Sequence, residues 1–225
     1  MVILFLGDTH ANLHHIDGCV NAIEKRGLPR AEAVIQLGDF GFFSQWIGSY
    51  LDGRQTIKTP TWFIDGNHED HDFLDGKLEK WDVKNLTYIK RGTTIELGGV
   101  KILGIGGATS VDFTMCRDIL DEDIALAMTQ KRPDIIVSHD CPAGIGMPSN
   151  LMFSGVKSET GDRRLTRVLK YFKPDFWFFG HYHVWHEIQV KNIKTKLVCV
   201  PESKFGGMLF DTQERYYAFV GIDEA

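Results

Sequence analysis

Short apolar runs alternate along the chain with stretches of helical periodicity. Val2 to Leu6, Ala33 to Leu37 and Thr61 to Ile64 are continuous apolar runs, the pattern of strands covered on both faces. Between the first two, Leu13, Ile16, Cys19, Val20 and Ile23 recur at helical spacing, and Gly27 with Pro29 ends that helix. Phe42 to Leu51 predicts a second helix with Trp46 and Ile47 turned inward, closed by Asp52-Gly53. Phe73 and Leu74 fall in a short helix or loop beyond the third strand. Strand, helix, strand, helix, strand predicts an α/β fold with parallel pairing.

The rhythm then changes. Leu86 to Lys90, Thr93 to Leu97 and Val100 to Ile105 are short strands, and only Gly98-Gly99 separates the last two. A glycine pair supplies the positive φ angles of a tight hairpin, so antiparallel strands join a mainly parallel sheet here. Gly104, Gly106 and Gly107 mark close backbone approach or a turn at that strand's end. Asp121 to Thr129 predicts a helix and Asp134 to Ser138 a buried strand. Pro142 to Gly161 is rich in Gly, Pro, Ser and Met, a loop long enough to predict a lid or substrate wall. Arg163 to Phe172 is helical with Leu165, Val168 and Leu169 inward, and Pro174 closes it. Asp175 to Phe179, Val184 to Val190, Lys196 to Val200 and Tyr216 to Val220 are further strands. No repeat, low-complexity tract or linker divides residues 1–225, which read as one domain.

Hydrophobic content of 43% and charged content of 24% are those of a globular chain with a sizeable core. A formal charge of -5 argues against attachment to nucleic acid or a membrane by bulk charge. Cys19, Cys116, Cys141 and Cys199 are widely spaced and read as reduced thiols of a cytoplasmic protein. The apolar start at Met1 lacks a basic leader and runs directly into Asp8, so it reads as a strand. No run approaches the roughly 20 apolar residues of a membrane helix.

The strand ends carry the chemistry. Leu6-Gly7-Asp8-Thr9-His10, Leu37-Gly38-Asp39, Ile64-Asp65-Gly66-Asn67-His68 and Phe179-Gly180-His181-Tyr182-His183 each pass from an apolar run through glycine to metal-ligand side chains. Ile136-Val137-Ser138-His139 does so without the glycine. Open α/β sheets place their sites outside the carboxyl ends of the strands. A single Gly-Asp after a strand is more often a turn or cap, and a lone histidine is more often an ordinary polar contact. The ordered set of five is the signal. Imidazole, carboxylate and amide donors together suit borderline divalent metals. Two such ions, about 3.5–4 Å apart, can share a hydroxide and clamp a phosphate oxygen.

This series resembles the calcineurin-like metallophosphoesterase superfamily from Asp8 to His183. The resemblance implies a four-layer fold, a two-sheet β-sandwich flanked by α-helices. It implies that Asp8, His10 and His183 hold one metal, that Asn67, His139 and His181 hold the other, and that Asp39 bridges. His68 would stabilise the phosphate or protonate the leaving oxygen, and Asp39 and Asn67 would share the catalytic work. The implied cofactors are two divalent ions, manganese first, with iron, zinc or nickel as alternatives. The implied reaction is in-line attack of a bridging hydroxide on phosphorus.

Departures from the superfamily's branches bear on the substrate. Its Ser/Thr phosphatases have Asp-Arg-Gly after the second motif, where this chain has Phe42, Phe43 and Ser44. A dianionic monoester is gripped by such an arginine, although Arg54, Arg91, Arg117, Arg163 or Arg164 could supply charge. Lipid-A-pathway hydrolases carry arginine in place of His68, and the repair-nuclease branch has extra capping segments. What remains is similar to small single-domain phosphodiesterases, including the class III cyclic-nucleotide enzymes. The expected partner is a nucleotide or oligonucleotide phosphodiester. The rival expectations are a phosphomonoesterase or protein phosphatase, and a non-catalytic interaction module on the same fold. His14 and His15 read as solvated, His186 as a candidate pocket residue, and Asp65 or Glu69 as acceptors orienting a ligand imidazole. Cys141 and the run Phe176 to Phe179 read as core.

Overall fold

The computed structural model describes residues 1–108, 118–147 and 160–222. Along the chain run β1 (Val2–Leu6), α1 (His14–Lys25), β2 (Ala33–Leu37), α2 (Ser44–Leu51), β3 (Thr61–Ile64), α3 (His71–Leu74) and β4 (Leu86–Tyr88). Next come β5 (Thr93–Leu97), β6 (Val100–Ile105), α4 (Asp121–Thr129), β7 (Ile135–Ser138), α5 (Arg163–Phe172) and β8 (Phe176–Phe179). The described part ends with β9 (His186–Ile188), β10 (Lys196–Cys199), β11 (Gly206–Asp211) and β12 (Tyr216–Gly221).

The strands form two six-stranded sheets, ordered β12-β11-β1-β2-β3-β4 and β5-β6-β7-β8-β10-β9. The continuous apolar runs have the physical cause expected of them, since each sheet is covered on both faces. Ile3, Phe5, Ile35 and Leu37 of the first sheet meet Ile102, Val137, Phe178 and Val198 of the second. Phe5 stacks on Phe178 across that interface with ring centroids 4.3 Å apart. The alternate residues Leu4, Leu6, Val34 and Phe63 point outward onto Ile16, Val20 and Ile23 of α1. On the far side Ile136, Trp177 and Leu197 pack against Leu165, Val168 and Leu169 of α5. Helix, sheet, sheet, helix is the four-layer sandwich, and the run Phe176 to Phe179 is buried in it.

Several elements depart from the sequence reading. The residues alone pointed to one mainly parallel sheet, whereas the β5–β6 hairpin lies at one edge of a second sheet. Gly98 and Gly99 do have the positive φ angles of that turn, +56° and +79°. β4 pairs parallel to β3 and closes the first sheet. β11 has no counterpart in the sequence reading, because its opening Gly206-Gly207 looks like a loop. Between β1 and β12 there is no room for larger residues there: a Cβ on Gly207 would lie 2.7 Å from the Phe5 carbonyl oxygen. Trp46 is not inward. Ile47 and Tyr50 take the buried face of α2, and Trp46 is 56% exposed. The loop placed at 142–161 lies mostly outside the described residues. Pro142 is bridged to Asp162. No helix among the described residues is long and apolar enough to cross a membrane.

Candidate metal centre

Parallel register brings the expected strand ends to one rim. Leu6 stands opposite Gln36 and Leu37 opposite Ile64, so the turns after β1, β2 and β3 emerge side by side. In the second sheet Ser138 and Cys199 both stand opposite Phe179, which aligns the turns after β7, β8 and β10. These turns interlock through main-chain bonds. The Thr9 and His10 N–H groups donate to the Asp39 carbonyl at 3.2 and 3.0 Å, and the Gly180 N–H donates to the His139 carbonyl at 3.1 Å. His10, Asp39, His181 and His183 all adopt positive φ, between 46° and 68°. Such backbone costs about 1–3 kcal/mol per residue and persists where surrounding contacts fix it, most often at functional sites. The glycines make the nesting possible: a Cβ on Gly66 would sit 2.2 Å from Asp39 Oδ1, and one on Gly38 2.5 Å from His139 Nδ1.

Two groups of ligand atoms result, Asp8 with His10 and His183, and Asp39 with His139 and His181, each mutually within 4.8 Å. Asn67 belongs with the second, its Oδ1 lying 3.1 Å from His139 Nε2, while Asp39 Oδ1 lies 3.3 Å from the same nitrogen. The groups adjoin, because the His181 N–H donates to Asp8 Oδ2 at 3.1 Å. All seven residues expected as ligands are thus gathered at one place. His68 stands beside them, exposed, with its main-chain N–H on Asp39 Oδ1 at 2.9 Å and its ring 6.2 Å from that of His10.

The donor set fits a pair of divalent cations. Asp8 Oδ1 is buried with no hydrogen bond among the described residues, and His183 Nε2 faces it at 3.4 Å. Lone-pair atoms turned toward one another in a buried place are what a cation completes. Electrostatics agree. Burial disfavours charge on His139, but the Asp39 carboxylate outweighs it and lifts the imidazole to about 10. Burial raises and His139 lowers the Asp39 pKa, and the net effect holds it well below the usual carboxylate range. The Asp8 carboxylate raises the His183 pKa against the cost of burial. Burial, then His139, pushes His181 down. The Asp39 and Asp8 carboxylates thus favour positive charge beside them.

The groups that orient the ligands differ from those expected. His139 Nδ1 donates to the Leu37 carbonyl at 2.8 Å, and His183 Nδ1 to Glu202 at 2.8 Å, which turns each Nε2 toward the facing aspartate. Glu202 was missed. It follows β10 as Asp8 follows β1, and a sixth polar strand end could have been read from Val200-Pro201-Glu202. Among the described residues, Asp65 and Glu69 bond to groups other than the candidate ligand imidazoles. Asp65 is buried against Arg91 at 2.5 Å and Tyr88 at 2.9 Å. Glu69 accepts from the Phe40 N–H at 2.7 Å, and burial with Asp39 and Asp65 nearby raises its pKa well above the carboxylate range.

Of the remaining residues, His14 is solvated as expected, but His15 lines a small groove with Asp8, His10, Asn12 and Lys204. His186 lies on β9. Cys141 is buried, and burial pushes its thiol pKa upward, away from redox chemistry. Arg54, Arg91 and Arg164 are tied to Asp52, Asp65 and Asp162. Arg117 and Cys116 lie outside the described residues.

Comparison with known proteins places this geometry in a family. Lariat debranching enzymes are similar in sequence: that of Schizosaccharomyces pombe is 27% identical over 191 residues, covering 72% of this chain and 40% of the relative. That of Drosophila melanogaster is 26% identical over 233 residues, covering 81% and 43%. The chain thus spans about two fifths of the length of these curated relatives. Among solved structures, that of TT1561 of Thermus thermophilus matches with a TM-score of 0.67 at 14% identity, covering 99% of both chains. GAP50, described as the anchor in the inner membrane complex of Plasmodium, matches at 0.51 and 12% identity, covering 100% of this chain and 89% of its own. The family profile described as calcineurin-like phosphoesterase matches residues 1–185, a span that holds every strand-end turn from Asp8 to His183. The chain therefore belongs to the calcineurin-like phosphoesterase family, a family of phosphoesterases that use a centre of two divalent metals.

Proposed function

We propose that this chain is a phosphodiesterase acting on nucleotide or oligonucleotide diesters. Asp8, His10 and His183 would hold one metal, Asn67, His139 and His181 the other, and Asp39 would be shared. The adjoining ligand groups at a single rim are the observation that carries the reading. A filled donor set also favours this reading over a non-catalytic module on the same fold, which has no need of one. Imidazole with carboxylate and amide donors suits manganese, with iron, zinc or nickel as alternatives. The bound ions would supply Lewis-acid charge to the phosphate oxygens and a nucleophilic water at neutral pH.

The chain's own residues do the rest. His68 is exposed at the mouth, its main chain pinned to Asp39, and it donates a proton to the leaving oxygen. Glu202 and the Leu37 carbonyl fix the tautomers of His183 and His139. Phe42 and Phe43 are buried where the monoester-binding arginine of protein phosphatases would stand, and Arg54, Arg91 and Arg164 are each held by a carboxylate. A diester monoanion needs less added positive charge than a monoester dianion, which favours the diester. The name of the curated relatives adds a lariat to the substrates worth testing. Cys19, Cys141 and Cys199 are free and buried, which suits action in the reducing cytoplasm.

The test compares bis(p-nitrophenyl) phosphate with p-nitrophenyl phosphate in the presence of manganese. Faster hydrolysis of the diester is expected. A clear preference for the monoester would overturn the substrate class.

A further inference from the structure

The catalytic mouth opens in two unlike directions. On one side lies the polar groove that holds Asn12, His15, Glu202 and Lys204. On the other, a groove of about 460 Å³ is lined by His10, Ala11, Gly41, Trp46 and His68. That volume falls within the ~300–1,000 Å³ of small-molecule sites. Among the described residues, no acidic, lysine or arginine side chain lines it. Its far wall is Trp46, whose indole is 56% exposed although α2 has buried positions beside it at Ile47 and Tyr50. Phe43, buried, backs the indole with ring centroids 4.3 Å apart. A large exposed ring supported from behind forfeits burial on its free face, and a flat apolar partner would restore it.

We propose that Trp46 is a stacking platform for the base of the leaving nucleoside. The inference deepens the phosphodiesterase reading and rests on it for the position of the phosphate. With phosphorus between the ligand groups and His68 protonating the leaving oxygen, the leaving alcohol must lie on the His68 side. That side is the Trp46 groove. A nucleobase matches it because every base has a π face and none carries charge at neutral pH. The opposite arm of the diester, with its sugar, is left to the polar groove. Trp46 is a substrate-binding residue in this account and takes no part in proton transfer.

The experiment uses a dinucleoside monophosphate and its analogue in which the leaving nucleoside is abasic, with wild type, Trp46→Ala and Trp46→Phe. Trp46→Ala should lower kcat/KM for the base-bearing substrate by about tenfold or more, the effect of losing one base–aromatic stack. The abasic substrate should change less than about twofold, and Trp46→Phe should recover most of the loss. Calorimetric binding of a methylphosphonate dinucleoside, which is not hydrolysed, should weaken in parallel. Equal losses on both substrates, or none on either, would overturn the proposal. If the wild type cleaves neither substrate nor the bis-aryl diester, the phosphodiesterase reading fails. The calorimetric comparison then decides the stacking alone: binding unchanged by Trp46→Ala would overturn it.

Discussion

His68 and Glu202 sit within the same rim, and the proposed mechanism has them act through different physics. His68 is exposed beside the ligand groups, whereas Glu202 accepts from the far nitrogen of a ligand imidazole. Their alanine variants should therefore separate. His68→Ala should lose about 10²–10⁴ in kcat, the usual worth of a general acid, while titrating with manganese as the wild type does. Glu202→Ala should instead weaken manganese binding about 10–100-fold, as removal of a partner that orients a ligand does, and regain rate when manganese is raised. A Glu202 variant with unchanged metal affinity would remove the role assigned to it. At this scale the sequence was most informative about the candidate ligands, because Asp8, Asp39, Asn67 and His139 each follow an apolar run that reads as a buried strand. It was least informative about Glu202 and Trp46. Glu202 follows a proline rather than the Gly-Asp or Gly-His signature, and Trp46 is an aromatic at a helical position whose exposure depends on tertiary packing.

At the scale of elements, the two sheets are tied by an ion pair at their strand ends as well as through the aromatic core. Arg215, in the turn between β11 and β12, reaches Asp134 at the start of β7 with an N–O distance of 2.5 Å. The second Asp134 oxygen accepts from the Lys101 N–H of β6 at 2.8 Å. Burial raises the Asp134 pKa, but the Lys101 N–H and Arg215 outweigh it, so the folded value lies below the ordinary one. A depressed carboxylate contributes stability above its unfolded pKa of about 3.9 and loses it as pH falls through the folded value. Asp134→Asn should cost ~1 kcal/mol or less at pH 7, since Arg215 is partly exposed and screened. The gap from wild type, measured by urea unfolding, should close as pH drops below about 4; a gap that persists at low pH would show that the loss is not electrostatic. Elements with a clear period were legible: α1, α5 and the strands of the inner core. β11 was not, because a strand opening on Gly206-Gly207 carries no hydrophobic pattern at its start and owes its place to two neighbours. The division into two sheets was also illegible from period alone, since a strand buried on both faces looks the same in either sheet.

For the whole molecule, the decisive feature is that two sheets present their carboxyl-terminal strand ends at the same rim. β1, β2 and β3 lead into the Asp8-His10 turn, Asp39 and the Asn67-His68 turn, while β7 leads into His139, β8 into His181 and His183, and β10 into Glu202. Neither sheet alone supplies either group of donors. The first group takes Asp8 and His10 from one sheet and His183 from the other, and the second takes Asp39 and Asn67 with His139 and His181. The sandwich is therefore a condition for the chemistry. The same mouth then opens one way onto an apolar wall and the other onto polar side chains, an asymmetry suited to a diester with unlike arms.

The most direct measurement is the manganese stoichiometry of metal-free protein by titration calorimetry, for wild type, His183→Ala and His139→Ala. Two ions per wild-type chain and one strong site lost in each variant are predicted. A wild type that takes up no manganese, or variants that bind the full complement unchanged, would contradict the account.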